Sequence, residues 1–248
     1  VTIVTSGDMS QASGRPLSES GGKGLFTKEI EEALVAGSID LAVHSMKDVP
    51  TWLPDGLEIR CLLPREDPRD AFFSNVAAHL DDLPEGAVVG TASLRRQAQV
   101  LARRPDLKVV PIRGNVETRL RKLADGEVDA TLLALAGLKR LDMTDRITSV
   151  IEPDVMLPAV AQGAIGIETR VGDDRTNALL APLNCEDTMV RVSAERALLA
   201  ALDGSCRTPI AALANLDEAG TLTLDALVAD PAGRQILGTA RRGTAADA

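Results

Sequence analysis

Apolar and polar positions alternate along this chain in a regular beat of short hydrophobic runs and amphipathic stretches. Residues 1–4, Val-Thr-Ile-Val, read as a strand, and residues 6–24, rich in Ser, Gly and polar side chains, read as a long loop of the kind that serves as a lid. Over residues 25–36, Leu25, Phe26, Ile30, Ala33 and Leu34 recur at helical spacing, and Gly37 supplies the stop. The apolar run 39–43 then leads into His44-Ser45-Met46-Lys47-Asp48-Val49-Pro50. Polar groups gather there at the carboxyl end of a strand, where open α/β sheets bind ligands.

The pattern returns three times. Residues 87–90 predict a strand, and Thr91-Ala92-Ser93 caps a helix over 94–103 whose first backbone N–H groups suit an anion. Residues 108–112 predict a second strand, ending at Arg113-Gly114-Asn115 and followed by a helix to about Leu123. A third strand, 129–135, ends near Gly137-Leu138-Lys139-Arg140. Strands alternating with helices of this length predict a mostly parallel sheet, with basic or hydroxyl groups at each strand end. Residues 157–168 read as a glycine-containing crossover that returns the chain to the first sheet. A helix over 187–202 and alternating strands over 210–216, 221–228 and 234–241 predict a small, separate α+β domain.

At 248 residues and 45% apolar content the chain can bury a sizeable core, and no apolar run reaches the roughly 18 residues of a membrane span. Both ends read as cut, one inside a strand and the other without a closing helix. The net charge of -9 argues against a nucleic-acid binder. Yet Arg95, Arg96, Arg103, Arg104, Lys108, Arg113, Arg119, Arg121 and Lys122 crowd one segment against only Asp106 and Glu117. That imbalance predicts a local anion site, with Arg103 and Arg104 the first candidates for a plain solvated helix face. Cys61, Cys185 and Cys206 show neither a disulfide framework nor zinc spacing, which fits a reducing compartment such as the cytoplasm, and no metal cluster is visible. Cys61 sits in an apolar run and reads as inert core. Cys206, in a turn of small residues beside Arg207, reads as an accessible sulfur with a cation alongside to favour its thiolate.

Seven strings carry a family resemblance: Gly21-Gly22-Lys23-Gly24-Leu25-Phe26, Ala42-Val43-His44-Ser45-Met46-Lys47-Asp48-Val49-Pro50, Arg65-Glu66-Asp67-Pro68-Arg69-Asp70-Ala71, Gly90-Thr91-Ala92-Ser93-Leu94-Arg95-Arg96-Gln97, Arg113-Gly114-Asn115-Val116, Ala136-Gly137-Leu138-Lys139-Arg140 and Gly204-Ser205-Cys206. Together, and in this order, they resemble the porphobilinogen deaminase (hydroxymethylbilane synthase) family. The resemblance implies two periplasmic-binding-protein-like (type II) α/β domains and a small C-terminal α+β domain. On this chain they fall at 1–63 with 164–181, at 69–157 and at 186–248. It implies a transferase of tetrapyrrole (haem) biosynthesis that deaminates four porphobilinogen molecules and joins them head to tail as hydroxymethylbilane. The primer is a dipyrromethane cofactor held covalently, and Cys206 occupies the matching position.

The same resemblance implies roles for individual residues. Asp48 matches the catalytic carboxylate, suited to stabilising the cation left by departing ammonia. Pyrroles bearing acetate and propionate groups call for arginine forks. Lys47, Asp48, Ser45, Thr91, Ser93, Arg95, Arg96, Arg113, Gly114 and Arg119 match cofactor ligands, and Arg140, Lys23 and Gln162 match substrate ligands. Lys47 either positions acidic groups or simply pairs with Asp48, and Arg119 read from spacing alone is equally a helix-surface residue. His44 reads as an orienting group at a strand end and His79 as surface. The expected partner is porphobilinogen, with no nucleic acid or membrane, and the expected state is a monomer. The chain departs from the family in lacking the opening Ala-Thr-Arg-x-Ser segment and the closing helix, and in placing Glu19 where a basic residue is usual. The alternative reading is a non-catalytic two-lobed binding protein for a carboxylate or phosphate, which would have no use for Cys206.

Overall fold

The computed structural model describes residues 3, 5, 27–204 and 208–248. Three sheets organise them. The first runs in the order β1 (Ala42–Ser45), β8 (Ile165–Arg170), β2 (Leu57–Leu62), antiparallel throughout. Helix α1 (Lys28–Val35) lays Leu34 against Ala42 and Leu57 of this sheet. The strand expected over residues 1–4 lies outside the described residues except for Ile3, and so does the expected lid over 6–24.

Five strands form the second sheet, in the order β5 (Lys108–Val110), β4 (Val88–Gly90), β6 (Ala130–Ala134), β3 (Asp70–Ser74), β7 (Ser149–Ile151). The helices between its strands are α2 (Leu94–Arg103), α3 (Val116–Ala124) and α4 (Leu135–Arg140). Phe72, Val89, Ala130 and Leu132 pack on one side with Val100 of α2, while Phe73 and Leu133 pack with Leu120 and Leu123 of α3. Burying such a side chain contributes about 1.5–3 kcal/mol.

The expectation of a mostly parallel sheet needs correction. Parallel pairing is confined to β4–β5 and β4–β6; β3 runs antiparallel to both β6 and β7. The helix-bearing crossovers make the parallel pairs, as they must. Strand β3 instead enters from the first sheet and meets its neighbours head to tail.

After α5 (Asp174–Leu180) and α6 (Glu186–Ala201), the chain ends in an antiparallel sheet ordered β11 (Ile236–Thr244), β10 (Thr221–Ala229), β9 (Ile210–Leu216). Its inner face packs on α6 through Ala212 and Ala226 against Val192, and through Ala214 and Leu222 against Ala194. The α/β fold with a small C-terminal sheet is therefore present as expected.

Two segments join the first sheet to the second, and α6 binds both. Arg65, on the outgoing segment, places its guanidinium on Glu195 of α6, with Nη1 to Oε1 at 2.6 Å and Nη2 to Oε2 at 3.1 Å. Its Nε donates to the carbonyl of Gln162 on the returning segment at 2.9 Å. Glu195 also accepts from the backbone N–H of Ala161 at 2.6 Å and of Ala214 at 2.8 Å. The two segments touch backbone to backbone: Gly163 has φ +85, and a Cβ there would lie 2.4 Å from the carbonyl oxygen of Glu66. Only glycine allows that approach.

Candidate active site

The turn Met46–Asp48 follows β1 as a single 3-10 turn, so Lys47 and Asp48 sit beyond a strand end. The carboxylate of Asp48 is exposed and Lys47 is half-buried. Met46, between them and the core, is buried with Leu62 and Val160. The second sheet brings up the basic residues. Ser93 is the N-cap of α2, its Oγ accepting from the N–H of Arg96, and buried Thr91 accepts from the N–H of Ser93 at 3.1 Å. This cap fixes the first turn of α2 and with it Arg95 and Arg96.

Both arginines are buried and converge on Asp70, the first residue of β3, which is fully buried. Arg95 Nη2 reaches Oδ2 and Arg96 Nη2 reaches Oδ1, each at 2.7 Å, and the Gln162 amide donates to Oδ1 at 2.9 Å. Burial alone would raise the pKa of Asp70; the charges and hydrogen bonds of Arg95 and Arg96 outweigh it and hold the carboxyl well below the usual range. Arg95 Nη1 also donates to the carbonyl of Leu157, and Arg96 Nη1 to that of Leu132. The Nε of each has no hydrogen-bond partner among the described residues.

Arg119, half-buried on α3, donates from Nε to the carbonyl of Gly114 at 2.8 Å. Its pKa is pushed down by burial and then by the charges of Arg96 and Arg113. Lys47 is likewise pushed down, chiefly by burial, with Asp48 and Asp70 acting upward and Arg96 and Arg95 downward. Arg96 thus acts on both Lys47 and Arg119, while its own Nη2 hydrogen bond goes to Asp70. Asp70 is already bound by two arginines.

The remaining expected site residues fall elsewhere. Ser45 is exposed at the end of β1, and Arg140 is exposed at the end of α4 with no hydrogen bond or ion pair to the cluster among the described residues. Gln162 is buried, and its amide is committed to Asp70 and to the carbonyl of Pro68 at 2.7 Å. Lys23 and Cys206 lie outside the described residues. His44 is buried with Nε2 2.8 Å from Glu168, an orienting contact as expected, and His79 is on the surface. Arg103 is exposed and pairs with Asp81, the solvated face expected of it; Arg104 departs from that expectation, being partly buried with its guanidinium on Asp106 and on the carbonyls of Leu80, Asp81 and Leu83. Cys61 is buried, and burial pushes its thiol pKa up. Sequence reasoning missed Asp70 and Glu195 as organising groups, although Asp70 stands in one of the matching strings. Among the described residues no three His, Cys, Asp or Glu side chains gather to hold a metal, and no helix is long and apolar enough to cross a membrane.

The donor set suits dipyrromethane, whose acetate and propionate groups would answer the gathered basic side chains and the Nε atoms of Arg95 and Arg96, which have no hydrogen-bond partner among the described residues. Fold and site together describe an α/β protein with two buried arginines on Asp70 and an exposed carboxylate, Asp48, at a strand end. Residues 1–178 match the family model "Porphobilinogen deaminase, dipyromethane cofactor binding domain", and residues 189–248 match "Porphobilinogen deaminase, C-terminal domain". The chain is 61% identical over 247 residues to the porphobilinogen deaminase of Nitrobacter hamburgensis, covering 100% of this chain and 77% of that protein. It is 58% identical over 243 residues to the chloroplastic enzyme of Oryza sativa subsp. japonica, covering 98% of this chain and 67% of that one. Among solved structures, it is similar to a periplasmic substrate-binding protein of an ABC transporter from Coxiella burnetii, with a TM-score of 0.41 and 15% identity over 64% of this chain and 76% of that one. The chain belongs to the porphobilinogen deaminase family, whose cofactor is dipyrromethane.

Proposed function

We propose that this chain supplies the catalytic cleft of a hydroxymethylbilane synthase, joining four porphobilinogen molecules head to tail, with Cys206 as the point of covalent cofactor attachment. The observation that supports this reading is the convergence of buried Arg95 and Arg96 on Asp70, within electrostatic reach of Lys47, the sequence neighbour of Asp48. When bound, dipyrromethane supplies the pyrrole end to which new rings are added. The chain's own residues do the rest. Arg113, Arg119, Lys47 and the free Nε edges of Arg95 and Arg96 hold ring carboxylates, and Thr91 and Ser93 fix the helix start that aims them. Asp48, exposed at its turn, faces the positive charge that develops as ammonia departs and takes up and returns protons at the pyrrole nitrogens. Ser45, Gly114, Lys23, Arg140 and Gln162 belong to the same proposal, Gln162 acting through Asp70.

The same proposal divides the chain into domains at 1–63 with 164–181, 69–157 and 186–248, a division supported by the presence of three separate sheets. A monomer working in the cytoplasm remains part of the proposal, beside relatives that include a chloroplastic form. The test is the intact mass of the full-length protein and of Cys206→Ser. A dipyrrole-sized increment on the parent that vanishes in the variant supports the reading, and an unmodified thiol in protein from a porphobilinogen-replete host overturns it.

A further inference from the structure

Helix α6 passes the turn that carries Asp48, and one side chain bridges the gap. Arg196 donates from Nη1 to the carbonyl of Val49 at 3.0 Å and from Nη2 to that of Pro50 at 2.6 Å. Ahead of Asp48 the turn is held by the backbone, with the N–H of Met46 on Ala164 O at 3.0 Å and the N–H of Val49 on Met46 O at 3.3 Å. Beyond Asp48, buried Val49 packs with Met46 and Leu62, and the Arg196 fork holds the carbonyls of Val49 and Pro50. A planar guanidinium fork matches two successive carbonyls as a single ammonium cannot.

The surroundings show that this grip is needed. A groove of about 330 Å³, lined by Met46, Thr51, Leu53, Met189 and Arg196, opens beside the packing of Met46, Val49 and Leu62 on Val192 of α6. Without Arg196 the carbonyls of Val49 and Pro50 lose the donors that hold them at its edge. Arg196 carries no ion pair among the described residues, and burial pushes its pKa down. Its neighbour Glu195 is pinned by four hydrogen bonds, so the helix that holds Arg196 is itself fixed. The same helix ends at Ala201, five residues before Cys206.

We infer that Arg196 is a positioning residue for catalysis: from the C-terminal part of the chain it sets the place of Asp48 through the carbonyls of Val49 and Pro50. The inference rests on Asp48 being the catalytic carboxylate. A misplacement near 1 Å is enough to cost about 100-fold in rate.

The test uses full-length holoenzyme with the cofactor confirmed by intact mass, comparing Arg196→Lys, Arg196→Gln, Asp48→Asn and the double variant Asp48→Asn/Arg196→Lys. The expected result is a fall in kcat of about 10–100-fold for the Arg196 variants, with KM within about two-fold of the parent and the mass increment retained. In the Asp48→Asn background, Arg196→Lys should cost nothing more, because residues acting as one unit are not additive. If Arg196→Gln fails to fold, Arg196→Lys carries the same test. Parental kcat in Arg196→Lys, or a loss that adds to that of Asp48→Asn, overturns the inference while leaving the site intact. Full activity of Asp48→Asn removes the reading of the site and the inference with it.

Discussion

Arg65 and Glu195 meet as a two-pronged ion pair across 130 residues of sequence, both side chains almost wholly out of solvent. Every polar group of the Arg65 side chain is used, and its backbone N–H donates to Thr188. Glu195→Gln leaves the guanidinium buried without its counter-charge, and breaking such a pair costs about 3–5 kcal/mol. Urea denaturation should show that loss. A cost under 1 kcal/mol would mean that the pair does not lock the connecting segments to α6.

Asp70 gives a prediction with a pH window. Its folded pKa is depressed by Arg95 and Arg96, so its contribution to stability is complete above the unfolded value near 4 and is lost as pH falls through the folded one. Asp70→Asn should cost about 3–5 kcal/mol at pH 7, since two buried arginines lose their counter-ion. The gap between parent and variant should stay level down to about pH 5 and narrow below about pH 4. A gap that instead widens on acidification would contradict this assignment.

For Lys47 the relevant measurement is binding against pH. Burial lowers its pKa, so its positive charge is lost at a lower pH than that of an ordinary lysine. KM for porphobilinogen should therefore rise on the alkaline side, and in Lys47→Arg, which keeps its charge, that rise should move to higher pH. Superimposable profiles for the two proteins would show that Lys47 does not touch the ring carboxylates.

The hairpin between β10 and β11 makes a contact that single-atom substitution can probe. Gly233, at φ +70, presses on α2 so closely that a Cβ would lie 2.5 Å from both Ala98 O and Ala102 N, and Gln97 donates to the carbonyl of Pro231 beside it. Gly233→Ala should destabilise by about 1–3 kcal/mol. The amides of α2, the helix that carries Arg95 and Arg96, should exchange faster; unchanged exchange would show that the hairpin does not brace it.

Much of the fold was legible locally. The helix expected over 94–103 and the strand over 210–216 appear with those bounds, because a Ser cap and strong periodicity mark them in sequence. Strands β3 and β7 were not read, since Phe72 and Phe73 are both buried, one on each face, and period-two alternation is lost. Asp48 and Arg96 were legible because each stands at a strand or helix end within a recognisable string, whereas Arg119, inside its helix, reads from spacing alone as equally a surface residue. The role of Glu195 was not: mid-helix, it resembles any surface glutamate until Arg65, Ala161 and Ala214 close around it. Asp70 was hidden in the same way, its partners lying 25, 26 and 92 residues away.

The pairing of Asp70 with Ile151 has one more consequence. The second sheet starts on β3 and finishes on β7, and these two strands are neighbours. Everything between them enters and leaves through one doorway. Such a cassette can be exchanged by recombination between relatives when the host matches the spacing of two adjacent strand ends and keeps the contacts of Gln162 with Asp70 and of Gly233 with α2. Heredity can therefore remodel the half of the site that carries the arginines while the half that carries Asp48 stays as it was.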